Sequence, residues 1–181
     1  MRVLVLGTAM VDETMATSVF PHAGATVIAG PAERDLGGKG ANQALVLRRA
    51  GLDVRLVAPV GGDAAGEWVA GELAGEGLDP ADLVPIDVPT DRSLIFVGPG
   101  GENAIASIVA AAECIDERLA RESVELLGAG DLLVMQGNLT LAATRAALEA
   151  ARAAGAATLL NPSPARPDIA ARVDRLWREV E

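Results

Sequence analysis

The chain has 181 residues, which is enough for one sizeable hydrophobic core and a small appendage, so we expect one domain. A formal net charge of −10, together with two Trp, two Phe and no Tyr, argues against a surface that binds nucleic acid or an anionic membrane. The single cysteine cannot form an internal disulfide, and we find neither a signal peptide nor a membrane-spanning run, so we expect a cytoplasmic protein.

Apolar runs typical of buried strands alternate along the chain with alanine-rich segments that have helical spacing. The predicted strands are residues 2–7, 53–61, 131–137 and 157–162. The predicted helices are residues 39–50, 64–75, 116–127 and 141–154. Nearly continuous apolar strands that alternate with helices indicate a parallel sheet covered by helices on both faces. The predicted fold class is therefore α/β.

Two regions interrupt this alternation and predict a second, smaller sheet. Residues 13–36 and 84–108 contain short β segments broken by proline and glycine. Hairpin-like sequences occur at His22-Ala23-Gly24 in the first region and at Pro99-Gly100-Gly101 in the second. We expect both regions to form a small antiparallel flap that projects from the α/β core.

The loop Gly37-Gly38-Lys39-Gly40 precedes the first predicted helix and contains the only lysine of the chain. It is not a Walker loop, because Glu33 and Gly40 stand where that motif requires glycine and serine or threonine. Lys39 and Asn42 lie one helical turn apart, and an ammonium, an amide and exposed backbone N–H groups suit a neutral polyhydroxylated ligand. The alternative is a glycine-rich turn with a solvated lysine and a helix-start asparagine.

Seven segments together form a specific pattern. They are VLGTAMVDET, FPHAGATV, GGKGANQA, PVGGDAAGEWV, LIFVGPGGENAIAS, LLVMQGNL and LLNPSPAR. This pattern resembles the N-terminal half of the ribokinase and PfkB-type sugar kinase family. The resemblance implies that residues 1–181 are the N-terminal portion of one ribokinase-like domain, a Rossmann-like parallel sheet with a β flap over the sugar. It also implies ATP-dependent phosphorylation of a primary hydroxyl, with ribose favoured, Mg²⁺ as a cofactor, and a homodimer formed through the flap.

The resemblance implies sugar-binding roles for Asp12, Gly38, Lys39 and Asn42. A carboxylate that accepts two hydroxyl hydrogen bonds, next to lysine and asparagine donors, forms a suitable cage for a pentose. From the sequence alone, Asp12 also fits a carboxylate in a turn or a helix cap. Asn138 stands where the family has a glutamate, and its amide can still reach a hydroxyl although it supplies no charge.

Two further motifs are interpreted as structural. Asp63 is placed to cap the helix predicted from residue 64. Gly128-Ala129-Gly130-Asp131 matches in letters the family's phosphate-binding and catalytic motif, but it follows a predicted helix and leads into a strand, whereas the family motif opens a helix. We therefore interpret its glycines as a helix stop and assign no catalytic residue.

The resemblance fades near residues 173–177, before the family's Asn-x-x-Glu magnesium motif would occur. We therefore expect the C-terminal part of the fold to be missing, and with it the ATP and Mg²⁺ segments and the catalytic aspartate. We expect no metal site in these residues. Three interpretations stay open: the sugar-binding part of a kinase completed by a separate C-terminal segment, a non-catalytic sugar-binding or regulatory remnant, or an inert fragment with an exposed sheet edge.

Overall fold

A computed structural model describes residues 1–164, so the segment at 173–177 lies outside the described residues. The strands are β1 Arg2–Leu6, β2 Met10–Ala16, β3 Glu33–Gly37, β4 Asp53–Gly61, β5 Leu83–Ile86, β6 Arg92–Val97, β7 Asn103–Ile108, β8 Leu132–Gln136 and β9 Ala157–Asn161. The helices are α1 Lys39–Arg49, α2 Ala64–Gly75, α3 Glu117–Val124 and α4 Leu141–Ala153. None of the helices within this part of the chain combines the length and the apolar character needed to cross a bilayer.

The large sheet confirms the predicted α/β class. Its five strands run parallel in the order β5-β4-β1-β8-β9. Successive side chains of β1 point to opposite faces: Val3 and Val5 pack in the core cluster that includes α1 and α2, and Leu4 packs in the cluster that includes α3 and α4. Helices therefore cover both faces, which explains why the strands are apolar at nearly every position.

Strand β5 was not predicted as part of the large sheet, because its four residues include a proline and lie within the region assigned to the flap. Its residues pair in parallel with the end of β4, from Ala58↔Leu83 to Gly61↔Ile86. A proline is tolerated there because β5 is an edge strand, which needs backbone hydrogen bonds on one side only. The second part of the flap consequently begins at Arg92 rather than near residue 84.

The flap is a four-stranded sheet in the order β3-β2-β6-β7. The prediction of an antiparallel flap was wrong in one respect, since the central strands β2 and β6 pair in parallel and only the outer pairs are antiparallel. Both central strands run away from the large sheet, whereas β3 and β7 return towards α1 and α3. The sheet is therefore mixed.

The chain enters and leaves the second half of the flap next to a buried carboxylate. Asp91 is 1% exposed and immediately precedes β6. Its carboxylate accepts hydrogen bonds from the backbone N–H groups of Ala111, at 2.8 Å, and Ala112, at 3.2 Å. Burial raises the pKa of Asp91 above its usual value, although these two N–H groups act in the opposite direction. This contact fixes where the flap joins the core.

The predicted helix cap at Asp63 is confirmed. Asp63 is the N-cap of α2, and its carboxylate accepts from the Gly66 N–H at 2.8 Å and from the Thr90 N–H and hydroxyl at 3.0 and 2.7 Å. The Thr90 hydrogen bond is the main reason why the pKa of Asp63 is lowered from 3.8. The cap therefore connects α2 to the segment that leads into the flap.

We expect Asp63→Ala to lower the free energy of unfolding by about 2 kcal/mol, because it removes the cap and leaves the Thr90 groups without their acceptor. Asp63→Asn keeps one acceptor oxygen and should lose less. Since the folded pKa is lowered, the stabilisation is present above 3.8 and is lost as the pH falls through the folded value. Urea unfolding at several pH values measures both effects, and an alanine variant as stable as wild type would contradict the assignment.

Candidate functional site

A cavity of about 430 Å³ lies between the flap and the carboxyl ends of β1 and β8. From β1 the chain first builds β4 and β5 on one side and later β8 and β9 on the other, so the strand order reverses between β1 and β8. Open parallel sheets bind ligands at this kind of position. The five residues predicted to bind ligand all line the cavity: Asp12, Gly38, Lys39, Asn42 and Asn138.

The glycine loop packs directly against the backbone that follows β1. Gly38 has φ 97° and ψ 133°, and a Cβ there would lie 2.5 Å from the Thr8 carbonyl oxygen. A Cβ at Gly40 would lie 2.6 Å from the Thr8 backbone nitrogen. The Ala41 N–H donates to the Thr8 carbonyl at 2.9 Å. Glycine is thus required at both positions for the loop to reach the floor of the cavity.

Helix α1 begins at Lys39 and places two polar side chains at the cavity. Lys39 is half-buried and Asn42 is exposed, and the two lie one turn apart as the spacing predicted. Gln43, the next residue, faces inwards instead, and its Oε1 accepts from Gln136 Nε2 at 2.6 Å. The first turns of α1 therefore offer one ammonium and one amide to a ligand.

Asp12 lies inside strand β2, so it belongs neither to a turn nor to a helix cap. Its carboxylate packs against Gly37 on β3, where a Cβ would collide with it. Burial is the main reason why the pKa of Asp12 is raised, and the charge of Asp35 adds to the rise. The Ser93 hydroxyl and the charge of Lys39 act in the opposite direction. A partly buried carboxylate beside a lysine in a cavity is typical of a functional site.

Unsatisfied hydrogen-bonding groups concentrate around this cavity. Within residues 1–164, five buried side-chain atoms have no hydrogen-bond partner: Thr8 Oγ1, Asp12 Oδ1, Gln136 Oε1, Asn138 Oδ1 and Thr144 Oγ1. Three of them belong to residues that line the cavity. A buried polar atom without a partner costs about 1–3 kcal/mol, so such a cluster indicates a ligand with several hydrogen-bonding groups.

The sequence reasoning missed three hydroxyl-bearing residues of the cavity, Thr8, Ser93 and Ser107. Thr8 follows β1 by two residues, and its position next to the glycine loop depends on how that loop folds back. Ser93 and Ser107 lie on flap strands whose pairing partners could not be read from the sequence. The alternation of side chains along the β6 segment was the one signal in the sequence for Ser93. Without the pairing register, this alternation does not show which face of the strand lines the cavity.

The Gly128-Ala129-Gly130-Asp131 motif lies at the opposite end of the large sheet. It forms the turn that leads into the amino end of β8. The Asp131 carboxylate accepts from the Gly128 N–H at 3.2 Å and from the backbone N–H and the Nη2 of Arg2, both at 2.8 Å. Because the cavity is at the carboxyl end of β8, these contacts give Asp131 a role in joining β1 to β8.

No group of three or more His, Cys, Asp or Glu side chains within residues 1–164 is arranged to hold a metal ion. The chemistry available at the cavity is hydrogen bonding from one carboxylate, one ammonium, two amides and several hydroxyls.

Comparison with known proteins gives consistent matches. A family model described as pfkB family carbohydrate kinase matches residues 1–179. A ribokinase of Haemophilus influenzae is 29% identical over 163 residues, 90% of this chain and 53% of the relative. A deoxyribokinase of Salmonella typhi is 28% identical over 170 residues, 93% of this chain and 56% of the relative. The crystal structure of a ribokinase from Cryptococcus neoformans in complex with ADP has a TM-score of 0.76 at 28% identity, and the match covers 97% of this chain and 54% of that one. The chain spans about half the length of the relatives it matches.

Proposed function

Because the chain belongs to the pfkB family of carbohydrate kinases, we propose that its cavity binds the sugar substrate of a ribokinase-like enzyme. The observation that carries the proposal is the partly buried Asp12 carboxylate, whose buried Oδ1 has no partner among the described residues and which faces a cavity with hydrogen-bond donors. Asp12 accepts two sugar hydroxyls, Lys39 and Asn42 donate to others, and Gly38 brings its backbone close to the ligand.

The charges favour a neutral ligand of small size. Asp12 and Lys39 have opposite charges, so together they leave little net charge for an ionic substrate to meet. Asn138 adds an amide with an unpaired oxygen, which either accepts from a hydroxyl or donates to one. Ribose is the sugar we propose, because the relative named ribokinase matches 90% of the chain and the relative named deoxyribokinase matches 93% of it.

The proposed reaction is transfer of the γ-phosphate of ATP to a primary hydroxyl of the sugar. MgATP supplies the phosphoryl group and neutralises charge when it is bound, and this chemistry depends on positioning. The described residues orient the sugar, while the flap restricts the access of water. We propose that a further segment contributes the nucleotide and metal sites, and that these 181 residues by themselves bind sugar in the cytoplasm without phosphorylating it.

The proposal also includes a homodimer formed through the flap. Two large apolar side chains at neighbouring positions of β6 and β7 are exposed, Leu94 at 40% and Ile108 at 60%. Exposed apolar groups that lie close together favour association. Pairing of two flaps would bury this surface without covering the large sheet.

Calorimetric titration of the purified chain with ribose, followed by a non-hydrolysable ATP analogue, tests the function. We expect ribose to bind with one site per chain and the nucleotide analogue to give no binding heat. A folded sample that binds no ribose would refute the sugar site. Ribose-dependent formation of ADP from ATP by the 181-residue protein would instead refute its inactivity and leave the sugar site standing.

A further inference from the structure

A row of polar residues crosses the flap at directly paired positions. The strand registers pair Asp35 with Asp12, Asp12 with Ser93, and Ser93 with Ser107. Directly paired residues of neighbouring strands project from the same face of a sheet. Asp12, Ser93 and Ser107 all line the cavity, so the row continues from the carboxylate of Asp12 across the cavity face of the flap.

The two serine hydroxyls are in contact. Ser93 Oγ lies 3.0 Å from Ser107 Oγ and 3.3 Å from Met10 Sδ, and Ser93 is 5% exposed. Its hydroxyl also lies beside the Asp12 carboxylate. Ser93 thus has one proton and three neighbouring acceptors, namely the Met10 sulfur, the carboxylate and the Ser107 oxygen.

Counting protons shows that Ser107 keeps free hydrogen-bonding capacity. If Ser93 donates to Met10 or Asp12, Ser107 donates to Ser93 and its own lone pairs are available as acceptors. If Ser93 donates to Ser107, the Ser107 proton is available for another acceptor. In both arrangements the exposed Ser107 hydroxyl can make one further bond at the cavity.

The wall around this hydroxyl is apolar. Ile105 and Val109, two residues away on either side of Ser107, line the cavity, as does Ile95 on β6. The Ser107 hydroxyl in such a wall discriminates between ligands, because an apolar group that covers it leaves the bond to Ser93 but prevents the further hydrogen bond, at a cost of about 1 kcal/mol. A ligand that places a hydroxyl there avoids this cost.

We propose that Ser107 is a specificity-determining residue that binds one sugar hydroxyl not held by Asp12, and that Ser93 is a positioning residue that orients the Ser107 hydroxyl. This inference rests on the proposed function and makes it more specific. The substrate class is a pentose with a hydroxyl at the position facing β7, and a deoxy sugar lacking that hydroxyl is a poorer ligand.

Titration of the full chain with ribose and with 2-deoxyribose, 3-deoxyribose and 5-deoxyribose tests the proposal. We expect one deoxy analogue to bind wild type about tenfold more weakly than ribose. In Ser107→Ala, ribose should bind about tenfold more weakly while that analogue is hardly affected, so the difference between the two ligands disappears. Ser93→Ala should reduce the same difference without changing the ranking of the other analogues.

Two further variants make the result specific. Ser107→Thr keeps a hydroxyl and should retain the discrimination. Ala106→Ser adds a hydroxyl to the opposite face of the same strand and should change no affinity. The proposal is overturned if Ser107→Ala preserves the wild-type ratios of affinity for all four sugars. If wild type binds none of the four, the proposed function fails and the inference fails with it, which is a distinct result.

Discussion

Asp12→Asn is expected to weaken ribose binding by at least about a hundredfold, while the free protein stays as stable as wild type or becomes more stable. The variant removes the charge that makes Asp12 a strong acceptor of two hydroxyl hydrogen bonds, and charge-assisted bonds of this kind contribute about 1.5–3 kcal/mol each. It also removes a charge whose burial raises its pKa and which has an unpaired oxygen among the described residues. Calorimetry and thermal unfolding measure the two effects separately.

The same residue predicts a dependence on pH. Because the folded pKa of Asp12 is raised above 3.8, its contribution to stability is fully present below that value and is lost as the pH rises through the folded pKa. Ribose affinity should change in the opposite direction and fall as the pH falls through the folded pKa, since a protonated carboxyl accepts fewer hydrogen bonds. Asp12→Asn should abolish both trends.

Glu13→Gln is the matched control for Asp12. Glu13 is the next residue of β2, so its side chain points to the opposite face of the flap, where it lies 3.6 Å from Arg34. Neutralising it should leave ribose affinity unchanged. If Asp12→Asn binds ribose as tightly as wild type, the carboxylate is not a ligand of the sugar and the assignment of the cavity must be abandoned.

Gly38→Ala is expected to lower the free energy of unfolding by about 3 kcal/mol and to eliminate ribose binding. With φ 97° and ψ 133°, Gly38 occupies a conformation that an L side chain rarely adopts, and its Cβ would lie 2.5 Å from the Thr8 carbonyl oxygen. Strain of this kind costs about 1–3 kcal/mol before the collision is counted. The backbone shift that relieves it would move Lys39 away from the cavity.

Gly71→Ala provides the comparison for Gly38. Gly71 lies within α2, and a Cβ added there would have no atom within 4 Å. Alanine is a better helix former than glycine, so this variant should gain about 0.5–1 kcal/mol and bind ribose normally. Urea unfolding of both variants tests the contrast. A Gly38→Ala protein as stable as wild type would show that the loop does not need its observed backbone conformation.

The secondary structure of the core could be predicted because each local pattern agreed with the global fold. The strand at 53–61 and the helix at 64–75 have the predicted bounds, and Asp63 between them is the expected cap. By contrast, the pairing of β5 and the parallel contact of β2 with β6 join segments far apart in the chain. Such contacts depend on the direction in which each strand leaves the core, and a short stretch of sequence carries no information about that direction.

The cavity residues also divide into those that the sequence indicates and those that depend on strand pairing. Glycine and lysine in the loop and the amide one turn later signal a ligand through their chemistry, and the family pattern added Asp12 and Asn138. Ser93 and Ser107 have no such signal, because a serine in a β segment is ordinary. Their position follows from the register that aligns them with Asp12 across three strands. Side chains that depend on pairing become visible only with the structure.

The buried contact at Asp91 affects the affinity of the cavity for its ligand, although Asp91 lies outside the cavity. Asp12 belongs to the flap, whereas Lys39 begins α1 and Asn138 follows β8 in the core, so a small ligand that contacts all three residues must bridge the flap and the core. The free energy needed to hold the flap and the core at that distance is part of the free energy of binding such a ligand. Two amide protons, on Ala111 and Ala112, help to set that distance through Asp91. The flap junction therefore influences the affinity of a cavity that it does not line.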